Sequence, residues 1–268
     1  MLNLSNYRKL STDECKKISF DILVDVANYC EKNSLRYYLA CGTLLGSIRH
    51  KGYIPWDDDI DIMMPRPDYN RFINEYKSDK YEIIKPEVGM YFFVKVYDKN
   101  TINIFRKIDY KKFKPIGVDI DIFPLDGIVN DERIVNKLRQ RSNFLEMLLS
   151  LAKQRIFNRK NPIKAINRII PRIIGNRNIV KMIENNAQTY DYDSSDYVIR
   201  FKNTTNGFTG ALPKEVYEID RKEFEGRLFN VPKGYDKWLS AFYGKDYMKL
   251  PPEDKRVVHD RESYILIK

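Results

Sequence analysis

The 268-residue chain carries 47 Lys and Arg against 37 Asp and Glu, a formal net charge of +10, which favours anionic partners such as nucleotides, nucleic acid or an anionic membrane surface. Hydrophobic residues make up 43% and aromatic residues 13%, enough for one large domain with a sizeable core and too many for a disordered chain. Three cysteines without a Cys-x-x-Cys, and only two histidines, argue against a disulfide framework and a zinc site.

The N-terminal stretch lacks an apolar signal core, and no apolar run reaches membrane-span length. Cytoplasmic residence with reduced thiols is therefore expected. Ser11 and Glu14 form a capping box, and Ile18, Ile22, Val26 and Tyr29 recur at helical spacing, predicting a helix to about Asn33. Residues 36–41 read as a buried strand broken by Gly42, followed by a short helix over 43–49. After a loop, residues 57–64 alternate acid with apolar, which is strand periodicity. Pro67 opens a helix to about Lys77. Strand-like runs follow at 81–85, 91–97, 101–105 and 118–123. From Asp131 to about Gln188 the pattern is helical and basic, punctuated by Pro162, Pro171 and Gly175. Beyond Tyr197 it is mixed, with a strand-like 223–231 and a helix-like 235–243. Interspersed helices and strands predict an α+β fold. The expected organisation is a catalytic core over 1–130, a helical basic insert over 131–190, and a C-terminal part over 191–268 that packs on and completes the core.

Two segments repeat one acidic pattern: Asp57-Asp-Asp-Ile-Asp-Ile and Val118-Asp-Ile-Asp-Ile-Phe. Strand alternation puts Asp57, Asp59 and Asp61 on one face against Ile60, Ile62 and Met64, and puts Asp119 and Asp121 together on a face of their own. Asp58 lies inside the first run as a further candidate. Carboxylates this close repel one another, and a hard divalent cation relieves the repulsion while keeping substrate phosphates in its shell. If the two strands are neighbours, three carboxylates can converge on one or two metals, an arrangement suited to displacement at phosphorus. The alternative is a pair of solvated edge strands whose charges discourage aggregation.

Directly upstream lies Ala40-Cys-Gly-Thr-Leu-Leu-Gly-Ser-Ile-Arg-His, a strand ending at a glycine before a helix. Gly42 would let a backbone approach a phosphate, the helix start offers free N–H groups, Thr43 adds a hydroxyl, and Arg49 could reach a second phosphate oxygen. Gly46 belongs to the same loop. Read blandly, this is a strand-to-helix turn with Thr43 as cap.

The run from Cys41 to Ile62, Cys-Gly-Thr-Leu-Leu-Gly-Ser-Ile-Arg-His-Lys-Gly-Tyr-Ile-Pro-Trp-Asp-Asp-Asp-Ile-Asp-Ile, resembles the signature of the LicD family. Val118-Asp-Ile-Asp-Ile-Phe-Pro-Leu-Asp resembles its second block, and Tyr243 to Arg256 with His259 its closing block. The resemblance spans nearly the whole chain except the basic insert. It implies a nucleotidyltransferase fold of the DNA polymerase β type. It also implies transfer of phosphocholine from CDP-choline to a bacterial surface glycan, such as lipopolysaccharide or teichoic acid, or to its lipid-linked precursor. Relatives transfer ribitol phosphate or mannosyl phosphate. The family's Gly-Thr pair maps onto Gly42 and Thr43, where it handles donor phosphates. Its Asp-x-Asp strand and third acid map onto Asp59, Asp61 and Asp121, which would hold Mg²⁺ or Mn²⁺. Asp119 departs from the pattern, because that position is usually not acidic, and it leaves open which of Asp119 and Asp121 is the third ligand.

Trp56 could offer an aromatic face to a quaternary ammonium group; the simpler reading, that it packs the loop on the core, is preferred. His259 could contact phosphate or act as a base, or be an ordinary histidine. Arg256, from the same closing block, is a further site candidate. From Met147 to Ile183 the chain has no Asp or Glu and nine Lys or Arg. Ile163, Ile166, Ile170 and Ile173 share one helical face, and Lys164, Arg168 and Arg172 another. That describes either a basic amphipathic helix on an anionic bilayer at the inner face of the membrane or a core-packing helix with a solvated basic face. A nucleotide-sugar glycosyltransferase is the rival enzyme, but several sheet strands normally precede its Asp-x-Asp, and here one precedes Asp59. No zinc finger, RNP-type strand or basic zipper supports nucleic-acid binding.

Overall fold

The computed structural model describes residues 4–88, 91–105, 115–153, 163–201, 210–256 and 261–267. Strand β1 (Tyr7–Lys9) leads into helix α1 (Thr12–Lys32). The capping box forms in both directions: Glu14 N–H donates to Ser11 Oγ (3.2 Å) and Ser11 N–H to Glu14 Oε2 (2.8 Å). Donors that the first turn cannot satisfy internally are thereby paired. One face of α1 buries Cys15, Ile22, Leu23, Val26 and Cys30.

The expected strand over 36–41 shrinks to β2 (Tyr38–Leu39), because helix α2 (Cys41–His50) already starts at Cys41. Strand β3 (Asp61–Pro65) begins four residues later than the alternation predicts. A turn closes on Asp57, whose N–H donates to Ile54 O (2.9 Å), and it keeps Asp57 to Ile60 out of the strand. Helix α3 (Arg66–Glu75) carries its proline in the first turn, as expected. Strands β4 (Tyr81–Ile84), β5 (Val94–Asp98), β6 (Thr101–Phe105) and β7 (Asp119–Ile128) follow, the last extending well past the predicted end.

Helices α4 (Glu132–Lys153), α5 (Ile163–Ile174) and α6 (Asn176–Ala187) make up the basic region. Short strands β8 (Tyr197–Ile199) and β9 (Ala211–Pro213) come next. The single strand predicted over 223–231 is a hairpin, β10 (Ile219–Phe224) and β11 (Arg227–Pro232). Its turn residues Glu225 and Gly226 both have positive φ, 50° and 74°, the signature of a two-residue primed turn that matches strand twist. Helix α7 (Tyr235–Tyr243) and strand β12 (Arg261–Leu266) close the chain.

The architecture is mixed α/β. A seven-stranded sheet runs β2-β3-β7-β5-β4, with β8 attached to β7 and β9 to β8. Strands β3 and β7 are parallel; the other pairs are antiparallel. Strand β1, absent from the expectation, belongs to a separate sheet β1-β12-β6, so β2 is still the one strand of the main sheet that precedes Asp59. The main core joins α1, α2, α3, the large sheet, the hairpin and α7 through Ile22, Leu44, Ile62, Phe72, Phe229 and Trp238. Helices α4 and α6 form a second cluster around Leu145, Leu149, Ile179 and Ile183, and Phe92 packs against both. Arg66 stitches the two together: its Nε and Nη2 donate to Asp126 (2.6 and 2.9 Å) and its Nη1 to Glu184 of α6 (2.8 Å).

Among its described residues, helix α5 leaves part of its apolar face open. Ile170 is 59% and Ile173 80% exposed, with Ile169 exposed beside them. Arg172 turns inward and donates from Nε to Ala152 O of α4 (3.2 Å). The side chains of Ile163, Lys164, Ile166 and Arg168 lie outside the described residues, as does Pro162. No helix among the described residues is long and apolar enough to cross a membrane.

Candidate functional site

The two acidic segments do meet. Strands β3 and β7 are parallel neighbours, and Asp61 stands in register with Asp121. Register partners on adjacent strands point to the same sheet face. Asp121 N–H donates to Ile60 O, and Ala40 N–H to Asp61 O, both at 2.9 Å, so β2, the start of α2 and both acidic strands are laced at one point. Thr43 strengthens it by accepting the Asp61 N–H on Oγ1 (2.9 Å).

Asp119 and Asp121 share a face, as predicted, but they are not equivalent. Asp119 is buried, and both of its oxygens are engaged: Oδ1 accepts from Asn103 Nδ2 (3.0 Å) and Oδ2 from Lys95 Nζ. The same Lys95 ammonium donates to Asp121 Oδ1. Among the described residues, Oδ2 of Asp121 receives no hydrogen bond. Burial pushes the Asp121 carboxyl up, Lys95 pulls it down, and Asp119 and Asp61 add to the rise, leaving it at about 6. Burial alone would lower the Lys95 pKa, but Asp119 and Asp121 raise it and win.

Asp58 and Asp59 precede the strand and are partly exposed. Arg261 of β12 pairs with Asp58 Oδ2 at 3.1 Å and donates to Asp58 O at 2.6 Å. Burial would lower the Arg261 pKa, yet Asp119, Asp58 and Asp59 hold it raised. The expectation that Asp57, Asp59 and Asp61 form one strand face holds only from Asp61 onward. Among the described residues no three acidic, histidine or cysteine side chains close around a metal position. Asp61 and Asp121 are the pair brought into register.

Protein groups surround the glycine turn in this structure. A Cβ on Gly42 would lie 2.3 Å from Asp57 Oδ2, so the group that the glycine admits is the Asp57 carboxylate. Gly46 is buried, and a Cβ there would meet Gly52 O at 2.4 Å; closeness to the following loop explains that glycine. Arg49 donates from Nη1 to Tyr247 O (2.8 Å) and Lys249 O (3.2 Å), anchoring the segment after α7. Trp56 packs partly on the main core, as the simpler reading has it, and the Arg256 guanidinium lies 4.5 Å from its ring centroid. The structure thus joins these two candidates. His259 lies outside the described residues.

Three cations at this site escape a reading of the sequence. Lys95 comes from β5; its only local signal is a basic residue at an alternating position within Val94-Lys-Val-Tyr. Lys153 ends α4 and shares the Tyr91 ring with Lys95, their Nζ atoms 5.1 and 5.0 Å from its centroid. Burial and the neighbouring Lys95 lower the Lys153 pKa to about 8, against the pull of Glu146. Arg200 follows β8 and stacks its guanidinium 4.2 Å from the Phe123 centroid, two residues beyond Asp121. A broad cleft of about 1070 Å³ between α1 and residues 76–83 is lined by Asp21, Asp25, Tyr76 and Lys80. It contains none of the site acids.

Comparison with known proteins places the chain in a family. Residues 34–161, which hold α2, β3 and β7, match the family described as LicD/FKTN/FKRP, nucleotidyltransferase domain. The lipopolysaccharide cholinephosphotransferase LicD of Haemophilus influenzae is 34% identical over 268 residues, covering 97% of this chain and 100% of that protein. The human ribitol 5-phosphate transferase FKRP is 26% identical over 125 residues, 46% of this chain and 24% of that protein. An uncharacterised Rickettsia typhi protein is 28% identical over 135 residues, 49% of this chain and 42% of that protein. With a relative 34% identical and covered along its whole length, the chain belongs to the LicD family.

Proposed function

We propose that this protein transfers a substituted phosphate, phosphocholine, from CDP-choline to a bacterial cell-surface glycan or its lipid-linked precursor, with a divalent cation as cofactor. The observation that carries the reading is the register of Asp61 with Asp121 beside the turn into α2. The Haemophilus cholinephosphotransferase and the human ribitol 5-phosphate transferase share one chemistry by name, transfer of a phosphate bearing an alcohol. The arrangement of α2, β3 and its parallel neighbour β7 suits a nucleotidyltransferase core of the DNA polymerase β type.

The residues fit a hard cation. Mg²⁺ is held through one or two carboxylates plus substrate phosphates rather than by a complete protein cage, and two registered carboxylates with an unengaged Asp121 oxygen supply that share. Burial, and after it the nearby Asp119 and Asp61 carboxylates, raise the Asp121 pKa, and a cation would offset both. Asp61 and Asp121 would hold the cation, with Asp59 as the third acid of the set. When bound, Mg²⁺ or Mn²⁺ neutralises charge on the phosphates of the donor. Asp119, both of whose oxygens are taken, positions Lys95 instead. Thr43 fixes the strand through the Asp61 N–H, and Lys95 and Lys153 present positive charge where the donor phosphates lie. The acceptor hydroxyl attacks the phosphorus that bears choline and gives up its proton to solvent, the bond from that phosphorus to the bridging oxygen of CMP breaks, and CMP leaves with that oxygen.

The exposed isoleucines of α5, in a stretch with nine basic residues and no acid, fit an anionic membrane surface. A cytoplasmic enzyme held there would meet a lipid-linked acceptor.

The deciding experiment offers the protein, Mg²⁺ and a glycan acceptor a panel of CDP- and GDP-linked donors. CMP release from CDP-choline with phosphocholine on the glycan is expected. Release of a nucleoside diphosphate would mean sugar transfer and overturn the reading.

A further inference from the structure

Arg200 is 5% exposed. Two other arginines, Arg66 and Arg261, are about as deeply placed, and each has carboxylate partners: Asp126 and Glu184 for the first, Asp58 for the second. Arg200 has none among the described residues. Its Nη1 donates to Cys41 Sγ, its ring-facing side rests on Phe123, and its Nε is buried without a hydrogen-bond partner. A buried charge is costly unless it is paired, and a guanidinium fork is suited to bidentate contact with phosphate. Among the described residues, Arg200 is thus a buried cation without a carboxylate partner.

Its position says which anion. Cys41 is the first residue of the ten-residue helix α2 and has a left-handed φ of 48°, so Arg200 stands at the positive end of that helix. Phe123 follows Asp121 by two residues on β7, a spacing of about 7 Å along a strand. Ala40, the residue before Cys41, donates its N–H to Asp61 O (2.9 Å), so Arg200 and the acidic strand β3 meet at the start of α2. Asp57 already lies against Gly42, and the free cation is on the Cys41 side.

We propose that Arg200 binds a phosphate of the donor's diphosphate, spanning with the Asp61–Asp121 pair the two ends of one diphosphate group. This rests on the reading of the protein as a user of a nucleotide-activated donor, and it is tested with a probe that needs no nucleotide. Inorganic pyrophosphate is titrated calorimetrically into the full chain with Mg²⁺, for wild type, Arg200→Met and Arg200→Lys, and the melting temperature of each is measured. The expected result is at least a tenfold weaker pyrophosphate affinity in Arg200→Met and a smaller loss in Arg200→Lys. The melting temperature of Arg200→Met should be unchanged or higher, because an uncompensated buried charge has gone. Undiminished pyrophosphate affinity in Arg200→Met, or no binding to wild type, overturns the proposal. A melting temperature that falls while affinity is kept would assign Arg200 to packing. If the donor panel shows another head group or nucleotide while pyrophosphate still depends on Arg200, the choice of donor fails and the phosphate contact stands.

Discussion

Asp61 and Asp121 occupy the same register position on neighbouring parallel strands, and one oxygen of Asp121 is left without a hydrogen bond among the described residues. Asp119, one repeat earlier on the same face, has none to spare. Asp61→Asn and Asp121→Asn should each lower kcat by at least about 10³-fold, the scale of losing one electrostatic contact to a reacting phosphate, while the melting temperature stays near wild type. Asp119→Asn should act mainly on stability. Equal loss of Mg²⁺ affinity in Asp119→Asn and Asp121→Asn, measured by calorimetry, would contradict the distinction.

Lys95 sits between the Asp119 and Asp121 carboxylates, and its removal takes away the ammonium that both of them bond. Breaking a buried pair in this way costs about 3–5 kcal/mol, so Lys95→Met should lower the urea midpoint markedly. A divalent cation can replace the lost charge, and ligand binding to the folded state adds stability by mass action. Millimolar Mg²⁺ should therefore stabilise Lys95→Met more than it stabilises wild type. An equal shift in both proteins would show that the ammonium and the metal do not compete for the same carboxylates.

Lys153 gives a pH dependence of definite sign. Its folded pKa is lowered to about 8 from an ordinary 10.5. Between those values the unfolded chain binds the proton and the folded one does not, so stability rises with pH across that window. Below about pH 8 both states are protonated and the cost of burying the ammonium near Lys95 is fully present. Lys153→Met should be more stable than wild type at pH 7, and the difference should shrink as pH rises from 8 towards 10. Parallel urea midpoints for the two proteins over that range would remove Lys153 from the buried site.

The parts of this site that were legible in the sequence are those whose signal is local. The capping box of α1, the proline at the start of α3 and the full extent of α7 follow from neighbours a few residues apart. Alternation located the acids of β7, and it erred at Asp57 because a turn closing on Ile54 O looks like strand when only residue types are read. The Glu225-Gly226 turn was readable in principle, since Gly within a strand-like run marks a turn or bulge. Lys95 and Arg200 were not readable. Each reaches the acids through pairing between strands far apart in the chain, β5 with β7 and β8 with β7, and register across such distances leaves no mark at either residue. The Asp119–Asp121 choice depended on the same information, because Asn103 and Lys95 decide it.

Helix α5 shows Ile169, Ile170 and Ile173 to solvent while Arg172 turns towards α4. An apolar stripe flanked by basic residues can sink into the interface of an anionic bilayer, where burial of the isoleucines and attraction of the cations act together. Each fully buried isoleucine contributes roughly 1.5–3 kcal/mol, and each Lys or Arg near the surface about 1 kcal/mol. The apolar part is insensitive to salt, and the ionic part weakens as screening shortens its range. Co-sedimentation with vesicles containing phosphatidylserine should therefore fall, but not vanish, when salt is raised. The double variant Ile170→Ser, Ile173→Ser should lower binding at every salt concentration. A Lys164, Arg168 double Glu variant should lower it chiefly at low salt. Mononucleotide release with a soluble acceptor should be nearly unchanged in both, because the carboxylates lie on β3 and β7. If neither variant changes sedimentation, α5 does not contact lipid. If soluble activity collapses in the charge variant, the basic residues belong with the acceptor or donor instead.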